Sequence, residues 1–284
     1  MESTTNRVIK IGLIQLNSKL DPNENLAFIK EQIPKIKSEA IEVLFLPEYF
    51  YSLGKDHITP YLVEVEVGEK FESEESEKNQ HFQNIKSLAI GCGVYVLGGT
   101  AATRIPSTGK IYNRTYNFSP SGELLPRYDK INLFKCTLQQ KSFDESKIYT
   151  AGSLPLALTL KDLELKIGFA ICFDLRFPEL FRNYVRSSKV HLLSICAAFT
   201  VPTGKAHWHT LLRARAIENQ SYVVAAAQVG SHDGGITTYG HSLIIDPWGK
   251  VIVDAGGSES DVGLYCAEID LQYIENIRSR MVVF

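Results

Sequence analysis

The sequence predicts an α/β fold with mixed sheets. Apolar, β-branched runs alternate with helix-patterned stretches along the whole chain, the pattern of strands packed against helices. Two turn sequences, Ser119-Pro120-Ser121-Gly122 and Asp246-Pro247-Trp248-Gly249, each join two apolar runs, so some neighbouring strands must be antiparallel. No linker, repeat or composition break divides the 284 residues, and one domain spanning 1–284 is expected.

The elements follow in order. Val8–Gln15 opens the chain as a strand. Asp21 and Pro22 are start signals for a helix over Asn23–Ser38, which Pro34 should kink or shorten. Val43–Leu46 reads as a strand, and Pro47, which cannot donate to a ladder, ends it. Seven glutamates then crowd the segment from Glu64 to Asn79: Glu64, Glu66, Glu69, Glu72, Glu74, Glu75 and Glu77. A charge run of this kind reads as a solvated loop and helix start; the alternative is a lid that screens a site. Gln80–Ile90 is a helix, followed by strands at Val94–Gly98, Tyr112–Phe118 and Leu163–Ile171. Pro178–Ser187 and Gly204–Gln220 are helices on either side of a strand at Val190–Ile195. Strands at Tyr222–Gln228, Ser242–Ile245, Val251–Val253 and Gly263–Ile269 complete the chain.

Composition narrows the function. With 44% hydrophobic residues the chain has ample surface for a core. A net charge of −2 lacks the basic footprint that nucleic acid demands. There is no apolar run of about 18 residues, so no membrane partner is expected. Five cysteines (Cys92, Cys136, Cys172, Cys196, Cys266) are odd in number and scattered without a CxxC pair, which argues against both a disulfide framework and zinc. Most read as small buried hydrophobes. The polar start, Met1 to Arg7, has no signal-peptide core, and a cytosolic protein is the default.

Three segments each put a reactive side chain at or near the end of an apolar run. Leu44-Phe45-Leu46-Pro47-Glu48 delivers a carboxylate. Arg127-Tyr128-Asp129-Lys130-Ile131-Asn132-Leu133-Phe134 embeds a lysine among apolar and aromatic side chains. Gly168-Phe169-Ala170-Ile171-Cys172-Phe173-Asp174-Leu175-Arg176-Phe177-Pro178 runs a strand into a cysteine and then into a helix. Strand-to-helix junctions leave free backbone N–H groups beside a cleft, where a nucleophile and an oxyanion hole belong. A nearby cation lowers a cysteine's pKa, and a carboxylate can carry a proton from thiol to leaving nitrogen. Cysteine, lysine and glutamate therefore make a complete acyl-transfer set. Taken singly, each reads as packing, a snorkelling stem or a surface carboxylate.

In this order, Leu-Pro-Glu48, Tyr-Asp-Lys130 and Cys172-Phe-Asp-Leu-Arg-Phe-Pro-Glu-Leu180 resemble the nitrilase superfamily of carbon–nitrogen hydrolases, from Ile11 to Phe284. Thr203 to Gln220, Tyr239-Gly-His-Ser242 and Asp246-Pro-Trp-Gly249 narrow the resemblance to the Nit branch of ω-amidases and deaminated-glutathione amidases. Arg213 to Glu218 and Tyr222 to Gln228 look closer to the latter. The resemblance implies an αββα four-layer sandwich whose protomers pair across helices, as a homodimer or higher homo-oligomer. It implies an amidase for a small carboxylate-bearing amide, without metal or organic cofactor. Carried over residue by residue, Glu48, Lys130 and Cys172 form the triad, Glu145 is a second glutamate, and Lys130 with the Phe173 N–H forms the oxyanion hole. Thr200 and Tyr49 fall at the substrate, and Arg176 suits a substrate carboxylate because a guanidinium fork matches that group. The plainer reading of Arg176 is an ion pair with Glu179 or Asp174.

Other chemistries fit less well. No GxSxG elbow supports a serine hydrolase. His207 and His209 suggest zinc, yet residues two apart on a helix face different ways, and no HExxH pattern occurs. The expectation is that His207 and Trp208 pack at a helix interface. A partner-binding protein that kept the fold without the chemistry is the rival from another class.

Overall fold

The computed structural model describes residues 7–55, 60–65, 79–138 and 141–283. Two sheets stack face to face. The first has four strands in the spatial order Gly263–Asp270, Val8–Gln15, Val43–Phe45, Tyr95–Leu97. The last three are parallel, while Gly263–Asp270 runs antiparallel to Val8–Gln15 with Val8 opposite Asp270. The second sheet has six: Val251–Asp254, Leu243–Ile245, Tyr222–Ala227, Leu192–Ala197, Leu165–Ile171, Ala157–Leu160. Its three strands from Tyr222–Ala227 to Leu165–Ile171 are parallel, and the flanking strands are antiparallel.

Helices α1 (Pro22–Glu31), α2 (Ile33–Ser38) and α3 (Gln80–Cys92) pack on the outer face of the first sheet. Helices α4 (Pro178–Ser188) and α5 (Val201–Asn219) pack on the outer face of the second, and α6 (Leu271–Arg280) follows the last strand. Three apolar layers hold these four together. Ile11, Leu13, Phe45, Ile167, Phe169 and Val224 fill the space between the sheets. Ile29, Ile36, Leu44, Phe82 and Leu88 fill the first outer layer, and Phe181, Leu193, Trp208, Leu212 and Val223 the second. Neighbours in sequence alternate between layers, as Leu44 and Phe45 or Val223 and Val224 do. Strands buried on both faces read as continuous apolar runs, which is why they stood out in the sequence. The arrangement is the expected αββα sandwich.

The predicted helix over Asn23–Ser38 is two helices. Asp21 caps the first by accepting from the Asn23 N–H at 2.9 Å, and Pro34 lies in the first turn of α2, where no N–H is missed. Helix α5 starts at Val201, a turn earlier than Gly204, because Pro202 also sits in a first turn. Gly204 lies inside the helix because a Cβ there would collide with the Tyr239 ring. The predicted strand Leu163–Ile171 is the later half of a hairpin with Ala157–Leu160. A further sheet joins Val63–Glu64, Thr100–Ile105 and Lys110–Thr115, of which only the last overlaps a predicted strand, Tyr112–Phe118. Its Ala101 and Ala102 carry little β signal. The chain enters it through Gly98, at φ +81°, and Gly99, where a Cβ would lie 2.6 Å from Leu46.

Of the acidic segment, Glu64 pairs with Arg104 at 3.3 Å and Asn79 caps α3 by accepting from the Phe82 N–H. Residues 66–78 lie outside the described residues, and so does the choice between loop and lid. No described helix is long and apolar enough to cross a membrane.

The two sheets touch at one end, and this positions the site. Leu16, just past the strand Val8–Gln15, bridges Gln228, just past Tyr222–Ala227, with the Val229 N–H donating to the Leu16 carbonyl at 2.8 Å. The carboxyl ends of the parallel strands of both sheets meet there, the end of an open α/β sheet where ligands bind.

Candidate active site

Glu48 follows the strand Val43–Phe45 of the first sheet, and Cys172 follows Leu165–Ile171 of the second. The Gln228 side chain closes the gap by donating to the Glu48 carbonyl at 2.9 Å. The Glu48 carboxylate is buried and accepts from three groups. Oε1 takes the Lys130 ammonium at 3.0 Å and the Asn113 amide at 2.8 Å; Oε2 takes the Ala198 N–H at 2.8 Å. Ala198 follows the strand Leu192–Ala197 beside that of Cys172, so this bond ties the carboxylate to the second sheet.

Lys130 lies on a segment that runs along the strand Lys110–Thr115, its N–H donating to the Asn113 carbonyl at 3.0 Å. Its side chain is 1% exposed, and its ammonium holds a second carboxylate, Glu145, at 2.9 Å. Glu145 is fixed in turn by the Phe134 N–H at 2.7 Å. Two carboxylates and one ammonium leave a net negative charge beside Cys172. Cys172 adopts φ +48°, a left-handed conformation that turns strand into 3₁₀ helix.

Asp174 is fully buried two residues later. It accepts from the Ile171 N–H at 3.0 Å, and from the Tyr128 hydroxyl, the Asn132 N–H and the Asn132 amide at 2.8 Å each. It thereby clamps the cysteine turn to the lysine segment. Asp174 is thus unavailable to Arg176, and no described acid, Glu179 included, pairs with that guanidinium. Arg176 lies between the Phe173 and Phe199 rings, 5.8 and 5.6 Å from their centroids, with the His207 Nδ1 at 3.3 Å.

The electrostatics correct one expectation. A cation such as Lys130 is expected to lower the pKa of Cys172. Instead the Cys172 thiol is pushed well above its ordinary value, first by burial, then by the Glu48 carboxylate, with Lys130 only partly offsetting them. Glu48 is raised too, again by burial first, against the pull of Lys130. Lys130 is raised well above its ordinary value because Glu48 and Glu145 outweigh its desolvation. Burial and the neighbouring carboxylates thus favour the protonated thiol at Cys172.

Glu48, Glu145 and Cys172 line one cavity of about 460 Å³, with Tyr49, Phe173, Arg176 and Thr200 on its walls. The Lys130 ammonium adjoins the cavity through Glu48 and Glu145, which both line it. The Tyr49 hydroxyl lies 3.4 Å from Glu145 and accepts from Asn113 at 3.1 Å. The Thr200 hydroxyl is 2.9 Å from that of Thr203. The Phe173 N–H is in the first turn of its 3₁₀ segment, where N–H groups lack helical partners. Lys55 and Lys147 add positive charge to the same cavity.

Comparison with known proteins gives this geometry its context. The carbon-nitrogen hydrolase family matches residues 10–279. The chain belongs to the carbon–nitrogen hydrolase family. Among its relatives, the deaminated glutathione amidase of Dictyostelium discoideum is 35% identical, covering 98% of this chain and 94% of that protein. The omega-amidase NIT2 of Homo sapiens is 32% identical, covering 97% and 93%. The crystal structure of Saccharomyces cerevisiae Nit3, a member of branch 10 of the nitrilase superfamily, superposes with a TM-score of 0.79 at 28% identity, covering 98% of this chain and 95% of that one. The reaction of this carbon–nitrogen hydrolase is hydrolysis of a carbon–nitrogen bond.

Sequence reasoning missed several residues of this hydrolase's site. Asn113 reaches both Glu48 and Tyr49 from an unremarkable strand, and no local pattern marks it. Asp174 stood inside a quoted motif, and its role depends on Tyr128, 46 positions away. Of the other cysteines, Cys92 and Cys196 are buried and Cys136 and Cys266 half-buried, all of them free. Trp208 packs on Phe199 at 4.8 Å, as expected of a helix interface, whereas His207 faces outward, the next position round the helix.

Proposed function

We propose that this amidase works by cysteine acyl transfer, with Cys172 as nucleophile, Glu48 as proton carrier and Lys130 as oxyanion donor. One observation carries the reading: Glu48 joins the Lys130 ammonium to the Ala198 N–H on the wall of the cavity that Cys172 also lines. Glu48 accepts the thiol proton as Sγ attacks the amide carbon. The carbonyl oxygen becomes an oxyanion. Two of the three ammonium N–H bonds of Lys130 go to Glu48 and Glu145, so one remains for that oxygen, with the Phe173 N–H as second donor. Losing such a donor costs about 3 kcal/mol of transition-state stabilisation. Protonated Glu48 then gives its proton to the leaving nitrogen, the C–N bond breaks and a thioester remains. Water attacks the thioester, losing a proton to Glu48; the acid departs and the proton returns to sulfur. Glu145 holds Lys130 in register throughout.

The substrate in this reading is an amide bearing more than one carboxylate, most like deaminated glutathione. Arg176, Lys55 and Lys147 are the cations of a wall that also carries Glu48, Asp144 and Glu145, and Arg176, paired with no described acid, is the one suited to a substrate carboxylate, with Thr200 and Tyr49 supplying hydroxyls. A cavity of about 460 Å³ holds more than a five-carbon ω-amide fills, which favours the larger substrate over 2-oxoglutaramate. Five free thiols suit a reducing compartment. We therefore include a cytosolic location and pairing with a second copy of this chain, visible in sedimentation as twice the chain mass.

The deciding experiment is Cys172→Ala, which removes little volume. It is expected to abolish hydrolysis of deaminated glutathione and 2-oxoglutaramate while keeping the far-UV circular dichroism. Wild-type enzyme with a slow substrate should carry the acyl mass on Cys172. Activity retained in Cys172→Ala, or label on another cysteine, removes the proposed nucleophile.

A further inference from the structure

Three side chains outside the cavity converge beside α5. His209 Nε2 lies 3.1 Å from Asp254 Oδ2, and His241 Nδ1 lies 2.8 Å from Asp254 Oδ1. One ligand atom from each of the three falls within 4.8 Å of the others. They come from separate parts of the fold: His209 from α5, His241 from the turn after Gly240, and Asp254 from the end of an edge strand. The spacing that made His207 and His209 a poor pair does not apply, because the second imidazole comes from another loop.

The cluster is held in place by groups that are not themselves ligands. The His241 N–H donates to the Gly256 carbonyl at 2.7 Å, and the His241 carbonyl accepts from the Trp208 indole at 2.7 Å. Its backbone sits at φ +53°, a conformation kept by a non-glycine residue only where its surroundings dictate it. The Tyr239 ring packs 4.5 Å from the His241 ring. Asp254 Oδ1 also accepts the Gly256 N–H at 3.0 Å. His241 and Asp254 are thus held by contacts beyond the cluster, and His209 reaches the same carboxylate from α5. The side chains are 35%, 25% and 37% exposed for His209, His241 and Asp254, so an ion can reach them from solvent.

We infer that His209, His241 and Asp254 form a binding site for a divalent transition-metal ion of the zinc class. Two imidazoles and one carboxylate suit zinc and its neighbours, whereas calcium and magnesium take oxygen ligands. Metal–ligand bonds of about 2.0–2.2 Å at tetrahedral angles put neighbouring ligand atoms ~3.4 Å apart. The 2.8 and 3.1 Å contacts go to different oxygens of Asp254, and the three ligand atoms lie within 4.8 Å of one another, so rotation of these half-exposed side chains has to bring them to that spacing. To ligate, each neutral imidazole carries its proton on the other ring nitrogen, leaving the one that faces Asp254 free for the metal. Three protein ligands leave a fourth position open to water. Bound there, the ion clamps α5 to the edge hairpin of Leu243–Ile245 and Val251–Asp254. The N-terminus of α5 begins at Thr200 on the cavity wall.

The test uses the full-length chain carrying Cys172→Ala, stripped of metal and titrated calorimetrically with zinc chloride. One ion should bind per chain and raise Tm. Cobalt(II) in its place should give visible ligand-field bands without the near-ultraviolet band of thiolate ligation. His209→Gln, on an exposed helix face, His241→Ala and Asp254→Asn should each weaken zinc binding about tenfold or more, in line with lost ligation. His207→Ala should leave it unchanged. His209→Gln keeps the test decisive if His241→Ala fails to fold. No stoichiometric binding, binding that survives these substitutions, or a cobalt spectrum with a thiolate band would each overturn the site.

Discussion

The Tyr128 hydroxyl donates to Asp174 Oδ2 at 2.8 Å, joining the segment that carries Lys130 to the turn that carries Cys172. Both partners are fully buried, each two residues from the reactive side chain it serves. Asn132 reinforces the joint through its N–H and its amide, both at 2.8 Å from Asp174 Oδ1. The spacing of ammonium and thiol is therefore set by a carboxylate that meets neither.

Tyr128→Phe tests that joint with the smallest change. It removes one hydroxyl and leaves Asp174 with three donors. A hydrogen bond to a charged group is worth about 1.5–3 kcal/mol. The variant should lose roughly that in denaturant-measured stability, and kcat should drop about tenfold for a loss of ~1.4 kcal/mol in positioning, with KM nearly constant. Unchanged kcat alongside the stability loss would mean the joint is structural only.

The pH profile follows from the two raised groups. Glu48 must be ionised to accept a proton, and its value lies above the ordinary 4.5, with burial the chief cause. The rate should therefore fall, as pH drops, at a higher pH than an ordinary glutamate dictates. Cys172 must bring the proton, and its value lies well above 9.0. The alkaline limb of kcat/KM should begin beyond that point. Iodoacetamide alkylation of Cys172 should be slow at pH 7 and rise steeply in alkali. Rapid alkylation at neutral pH would mean a resting thiolate and would contradict the raised thiol.

Glu145→Gln separates charge from geometry. Glu145 raises both Glu48 and Cys172, in each case through its negative charge. Glutamine keeps the shape and an oxygen for Lys130, so both limbs of the profile should move to lower pH. kcat should fall by about ten- to a hundredfold, because Lys130 loses one of two charged anchors. KM should change little. A fall in kcat with neither limb displaced would leave Glu145 as packing.

The sandwich was legible because its strands are buried on both faces, and runs such as Leu192–Ala197 leave little ambiguity. Glu48, Lys130 and Cys172 stood out because each follows or interrupts such a run. What the sequence hid depends on long-range partners. Asn113 meets Glu48 from 65 positions away, and His209 meets Asp254 from 45. The charge state of the thiol was also out of reach. It depends on burial and on two carboxylates opposing one ammonium, which only the assembled site brings together. The hairpin strand Ala157–Leu160 escaped because its exposed and buried residues alternate over four positions, too few to announce a period.

Arg176 gives the last prediction, because its surroundings separate recognition from structure. It has no acidic partner among the described residues and stands between two aromatic rings on the cavity wall. A guanidinium beside two rings, with only the His207 imidazole at 3.3 Å as a polar neighbour among the described residues, keeps N–H donors for a carboxylate. A structural role would instead tie it to Glu179 or Asp174, and neither pair forms. Arg176→Lys keeps the charge but loses the fork and the stacking. KM for carboxylate-bearing amides should rise about ten- to a hundredfold, the equivalent of ~1.4–3 kcal/mol for one charged contact, with kcat within a few-fold of wild type. A neutral amide of similar length should show no such rise. If KM rises equally for both, Arg176 shapes the wall and does not read the carboxylate. Parallel measurements on a charged and an uncharged substrate, with Tm as a check on folding, decide between the two.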